Sequence, residues 1–139
     1  MKRPVNSKYY EFDTTNPNQG YRGCDCVVRS ISLAMNKSWE HIFDDLCAIG
    51  RKLHRMPNDD KVFEKYLKDN GWICLGQPRK SDNSKYTGKE FIVAYESQNH
   101  NTSIIANIAS GHLSCIIDNK FHDIWDPSDY CIGKIWIKP

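Results

Sequence analysis

Two cysteines one residue apart, Cys24 and Cys26, close a glycine-punctuated loop and open a run with helical periodicity in "NQGYRGCDCVVRSISLAM" (18–35). A thiol in the first turn of a helix meets unsatisfied backbone N–H groups and the positive end of the helix dipole. Both stabilise a thiolate and lower the thiol pKa. Cys26 has that position. Nucleophilic catalysis by cysteine also needs a histidine to share the proton and a third group to orient the ring. The competing reading of Cys26 is a small residue buried where a helix begins. A redox pair is disfavoured, because Cys-x-Cys lacks the usual two-residue spacing and a disulfide across one residue is strained. A zinc site would need a second ligand pair, and Cys24, Cys26, Cys131 and His122 supply four ligands only if the fold gathers them. No metal or cofactor is therefore expected.

Of the five histidines, His41, His54 and His100 lie in polar surroundings and read as surface groups. His112 opens the apolar stretch "HLSCIID", and the stretch after it, "KFHDIWDPSD", carries Asp123 and Asp126. The two stretches read as a hairpin, and directly opposed residues of a hairpin share a face. A two-residue turn at Asp118-Asn119 would oppose His112 to Trp125 and turn Asp126 to the other face. A three-residue loop, 118–120, would oppose His112 to Asp126, with Asn119 or Lys120 in the left-handed conformation such loops need. The second register makes Asp126 the orienting group, turns Asp123 away, and opposes Asp123 to Cys115 on the other face. Cys115 then reads as core, as do Cys47 and Cys74 among their apolar neighbours; Cys131 follows Tyr130 in a turn with no evident partner.

The elements that must carry these groups follow from periodicity. Residues 1–18 are polar and read as an extended lead-in. Val27, Val28, Ile31, Ala34 and Met35 recur at helical spacing over 26–36. Ser38 caps a second helix reaching about residue 53, with Trp39, Ile42, Phe43, Leu46, Ile49 and Leu53 on its buried side. The turn at 57–60 opens a third helix, carrying Val62, Phe63, Tyr66 and Leu67 and stopped by Asn70-Gly71. "WICLG" (72–76) reads as a strand. Thr87 and Glu90 have capping-box spacing, which favours a short helix over "KEFIVAYES". Runs 103–109, 111–117, 121–126 and 132–138 read as an antiparallel sheet. Helices first and strands last indicate a single α+β domain over 1–139.

"CDCVVRSISLAMNKSWEHIFDDL" followed by "GHLSCIIDNKFHDIWDP" resembles the papain-like cysteine hydrolase superfamily. The likeness is greatest to small phage and bacterial members with an Asp-Cys-Val-Val-Arg-Ala type of helix start and a Gly-His hairpin. It covers about residues 16–130, and only its two ends are distinctive. The resemblance implies a papain-like fold, with the nucleophile opening the first long helix and the histidine and its Asn/Asp partner on the later sheet. Cys26 would be the nucleophile, His112 the general base and acid, and Asp126 the orienting group. Gln19 would be the oxyanion-hole donor, although it stands one residue farther from Cys26 than the family spacing; Asn18 is the alternative. Cys24 and Trp125 would line the site, Trp125 shielding the His112–Asp126 hydrogen bond. The implied activity is a cysteine peptidase or amide/isopeptide hydrolase working on a protein or peptide through a thioester. Two other activities suit the same residues: transglutaminase or acyltransferase chemistry, and a papain-like scaffold serving as a non-catalytic binding module.

Composition is compatible with this reading. The 139 residues are 40% hydrophobic and 26% charged, with a net charge of +2, ordinary for a globular domain. Such a small charge gives no push toward nucleic acid, and the short basic stretches at 50–55 and 77–81 read as solvated faces. No apolar run approaches the ~20 residues a membrane span needs, and the N-terminus lacks the apolar core of a signal peptide. A cytoplasmic protein whose six cysteines are mostly reduced is therefore expected.

Overall fold

The computed structural model describes residues 5–96 and 103–139, so His100 lies outside the described residues. Within them the chain is α+β, with four helices and one six-stranded mixed sheet. Helix α1 (Cys26–Met35) ends at Asn36, which adopts the left-handed conformation of a C-terminal cap. Helix α2 (Trp39–Leu53) is capped by Ser38, whose hydroxyl accepts from the His41 N–H at 3.1 Å. Helix α3 (Asp60–Asp69) is capped by Asp59 and stops before Gly71, whose φ of +85° suits glycine. Helix α4 (Gly88–Glu96) begins with the expected reciprocal capping box. The Thr87 N–H donates to Glu90 Oε1 at 2.9 Å and the Glu90 N–H to Thr87 Oγ1 at 3.2 Å.

The strands are β1 (Tyr10–Phe12), β2 (Ile73–Gly76), β3 (Ile104–Ile108), β4 (His112–Ile117), β5 (Lys120–Asp123) and β6 (Ile132–Ile137). Their spatial order is β1-β5-β4-β3-β6-β2; β1 runs parallel to β5 and all other neighbours are antiparallel. The four C-terminal strands thus form the expected antiparallel sheet, extended at its two edges by β2 and β1. The β1 strand is three residues within the polar lead-in, too short to show a period of two. Its anchor is Tyr10, the first residue of the strand, fully buried, whose hydroxyl donates to the Asp123 carbonyl at 2.9 Å.

Alternate residues of β3 serve two cores. Ile105, with Leu113 and Trp136, packs against α1, α2 and α3; Ile104, Ala106 and Ile108 join Phe121, Ile132, Ile135 and Tyr10 beneath Phe91 and Ile92 of α4. The sheet is therefore covered on both faces. Two side chains expected inside α2 are not: Phe43 is 37% and Leu53 41% exposed. The apolar stripe of α2 is wider than the contact it makes, and only Ile42, Leu46 and Gly50, four residues apart, are buried. Cys74 is also exposed, because β2 is an edge strand with its side chains largely in solvent.

Candidate active site

Cys26 is the first residue of α1, placed there because the Asp25 carbonyl receives the first helical N–H, that of Arg29, at 2.8 Å. The N–H groups of Cys26, Val27 and Val28 consequently have no acceptor within the helix. His112 opens β4 directly after Gly111, whose φ of +121° closes the 109–111 turn in a region that favours glycine. The turn delivers the imidazole to α1, where it hydrogen-bonds the Cys26 thiol.

The third group is Asp123, not Asp126. Ile117 pairs with Lys120, so the hairpin turn is the two-residue Asp118-Asn119, with φ of +51° and +63°. Two consecutive left-handed residues make the primed turn whose twist matches that of the strands. The three-residue loop expected from the sequence is thereby excluded, since Lys120 belongs to β5. In the observed register Cys115 opposes His122, and Asp123 falls on the same side as Ser114 and His112. His112 Nε2 lies 2.7 Å from Asp123 Oδ2, which leaves the other ring nitrogen for Cys26. Asp126 instead accepts from the Ser128 N–H at 2.9 Å, holding the turn that follows β5.

Asp123 is 1% exposed and fully engaged. Besides His112 it accepts from Ser114 Oγ at 2.6 Å, Arg29 Nη2 at 3.0 Å and its neighbour's Ile124 N–H at 2.7 Å. Its backbone is held too, for its carbonyl accepts from the Tyr10 hydroxyl and from the Asp13 N–H at 3.0 Å. The lead-in strand thus helps position the site. Arg29, 2% exposed, also pairs with Asp25. Asp25 does not cap α1; its carboxylate takes Arg29, Asn16 Nδ2 at 3.1 Å and Trp39 Nε1 at 3.1 Å. A charge that in isolation would oppose a thiolate is thereby matched by a buried guanidinium. Neither Arg29 nor Ser114 stood out in the sequence, although the spacing of Asp25 and Arg29 is that of a helical ion pair, i to i+4.

These contacts decide the protonation states. Burial works to raise the Cys26 pKa, but the hydrogen bonds from His112 and the Leu113 N–H, with the positive charge of His112 and Arg29, bring it below the ordinary thiol value. Burial works to lower that of His112, and the hydrogen bonds to Asp123 and Cys26 overcome it, pushing His112 up to about 9. Asp123 is held below the usual carboxylate value: burial opposes its charge, and His112 and Arg29 outweigh burial. Both shifts act in one direction, toward a thiolate–imidazolium pair and away from a neutral thiol and imidazole.

A cleft of about 550 Å³ opens beside the pair, walled by Arg22, Gly23, Cys24, Asn58, His112 and Trp125 among others. Trp125 stacks obliquely on His112, with ring centroids 4.6 Å apart, as a shield for the imidazole would. Cys24 is exposed on the cleft wall. Gln19 is exposed and not on that wall; its carbonyl accepts from Arg22 Nη1 at 2.6 Å. Asn18 lines a neighbouring pocket together with Cys24. Asn58, from the loop before α3, borders Cys26 in both the cleft and a further pocket, and no motif in the sequence marks it.

The four residues considered for zinc are not gathered. His122 lies by Asp13 and Glu11, its Nδ1 3.0 Å from Asp13 Oδ2, and its Nε2 meets the Ile117 carbonyl at 3.2 Å. Cys24 and Cys131 are exposed, and all six cysteines are unpaired. No helix among the described residues is long and apolar enough to cross a membrane. The fold and site together define an α+β protein with a Cys-His-Asp constellation at a helix N-terminus. Compared with known proteins, the chain matches no family model, no curated protein and no solved structure.

Proposed function

We propose that the chain is a cysteine hydrolase of the papain-like type, cleaving a peptide or other amide bond through a thioester on Cys26. The observation that carries the reading is the unbroken relay from the Cys26 thiol through His112 to the buried Asp123 carboxylate, 2.7 Å from His112 Nε2. In the acylation step the thiolate sulfur attacks the amide carbon and the carbonyl electrons move onto oxygen. As that oxyanion collapses, the C–N bond breaks and His112 gives its proton to the departing nitrogen. Water then attacks the thioester while His112 accepts its proton, releasing a carboxylic acid and restoring the ion pair. The N–H groups at the start of α1 would receive the oxyanion. A side-chain amide would complete the hole, either Gln19 moving in from its exposed loop or Asn58 already on the cleft wall. Loss of the true donor lowers kcat about 10²–10³-fold, so Gln19→Ala and Asn58→Ala distinguish the two.

Iodoacetamide labelling across pH, read by peptide mapping, tests the reading. Cys26 is expected to react first and at a pH where an ordinary thiol is protonated, and His112→Ala is expected to remove that advantage. Faster labelling of Cys24 or Cys131, or a Cys26 profile like that of a free thiol, would overturn it.

A further inference from the structure

The two sides of Cys26 differ in chemistry. On one side lies a pocket of about 340 Å³ whose walls include Asp60, Gln77, Lys85, Asn107 and Lys134. On the other, beyond Cys24 and Asn58, lies a pocket of about 400 Å³ lined by Tyr21, Val28, Trp39, Phe43, Met56 and Pro57. Cys24 and Asn58 wall both this second pocket and the cleft at His112, so the two adjoin across these side chains. Tyr21, Phe43 and Met56 are 44%, 37% and 71% exposed, a concentration of exposed apolar side chains beside the nucleophile. The arrangement is built rather than incidental. Trp39 stacks on Phe43, centroids 5.0 Å apart and 10° from parallel, and Trp39 is anchored through its Nε1–H to Asp25.

We infer that this pocket is a specificity site for a large uncharged side chain, aromatic or long aliphatic, of a polypeptide substrate lying across Cys26. The inference rests on the hydrolase reading of Cys26. The occupant follows from charge and from the pocket's place next to the cleft. Asp25 is the charged residue on the wall, and its carboxylate is already matched by Arg29, Asn16 and Trp39. A charged substrate group would be desolvated there without a partner, whereas an apolar one covers Phe43 and Met56. The polar rim of Asn16, Asn18 and Asn58 suits the flanking peptide groups of an extended chain. The same Asp25 that orients Trp39 also pairs with Arg29, so pocket and relay share one support.

The test uses dipeptidyl acyloxymethyl ketones, which alkylate a catalytic thiolate, bearing phenylalanine or aspartate at either residue. The expected result is a phenylalanine-over-aspartate rate ratio of about 10 or more at one position. In Phe43→Ser/Met56→Ser the ratio is expected to fall to within about 3 of unity. The ratio is internal to each protein, so a general loss of reactivity does not mimic it. Equal rates in the unaltered chain, or a ratio that survives the double substitution, would overturn the proposal while rapid iodoacetamide labelling of Cys26 still upholds the hydrolase reading. If Cys26 proves unreactive, binding of N-acetylated peptides to Cys26→Ala, followed by tryptophan fluorescence, decides the pocket alone. Tighter binding of the phenylalanine peptide, lost with Phe43→Ser/Met56→Ser, keeps the site, and no difference removes it.

Discussion

Two histidine–carboxylate pairs sit on one hairpin and differ in almost everything around them. His112 on β4 meets Asp123, and His122 on β5 meets Asp13. The imidazoles are similarly covered, with side chains 14% and 13% exposed, and both have raised pKa values. The carboxylates differ most: that of Asp123 is 2% exposed and pinned by Arg29 and Ser114, whereas that of Asp13 is 37% exposed. The second ring nitrogen differs as well, facing the Cys26 thiol in one pair and the Ile117 carbonyl in the other. A histidine beside a carboxylate is therefore a common structural tie. Only the pair whose carboxylate is fixed and whose free nitrogen faces a thiol could supply the general base of the proposed hydrolase.

The sharpest break of that comparison exchanges the two pairs. Cys26→Ala or His112→Ala is expected to lower turnover by about 10⁴-fold or more, while His122→Gln leaves it within about 3-fold. Steady-state hydrolysis of an amide substrate measures both, and comparable losses from the two histidines would erase the distinction. Next in size is Arg29→Met. It strips a buried cation from two buried carboxylates, Asp25 and Asp123, and the unpaired charges should cost about 3–5 kcal/mol of stability by denaturant unfolding.

Turnover also separates the two aspartates of the hairpin. Asp123→Asn should reduce turnover about 10⁴-fold, because the ring loses its orienting acceptor and the imidazolium its counter-charge. Asp126→Asn should leave it within about 3-fold, its carboxylate being committed to the Ser128 N–H. The pH profile carries a further signature. The active pair needs Cys26 ionised and His112 protonated, so activity falls in acid as the thiolate is protonated and in alkali as His112, at about 9, gives up its proton. Asp123 raises the His112 pKa, so Asp123→Asn should move the alkaline limb toward lower pH, and an unmoved limb would remove Asp123 from the relay.

What the sequence revealed, and what it hid, follows the same physical division. Helix starts were legible because caps are local: Ser38 and the Thr87–Glu90 box announce themselves within three residues. Cys26 and His112 were legible because each opens a periodic element. The carboxylate was not, since a one-residue difference in the turn decides which aspartate shares the histidine's side. Asp118 and Asn119 both accept a left-handed conformation, so turn composition allowed the shorter loop as readily as the longer one. Strand β1 escaped because its stability comes from Tyr10 and from pairing with β5, more than one hundred residues away in the chain. Period alone assigns Phe43 to the core, yet it is 37% exposed. Periodicity identifies an apolar face but not whether a neighbour or a substrate covers it.

The smallest effect belongs to the second pair. The Asp13 hydrogen bond raises the His122 pKa against the opposing effect of burial, with further help from Glu11. The pair therefore stabilises the fold fully below the unfolded histidine value of about 6.5, and that contribution is lost as pH rises through the raised folded value. With both carboxylates more than a third exposed, screening limits it to about 1 kcal/mol. Urea unfolding of His122→Gln should show that deficit near pH 5.5 and a smaller one at pH 9. A deficit that instead grew with pH would mean that His122 is neutral in the fold and donates to Ile117 alone. A substantial loss of stability at both values would identify His122 as a packing residue of the β1–β5 seam, and the ion pair as incidental to it.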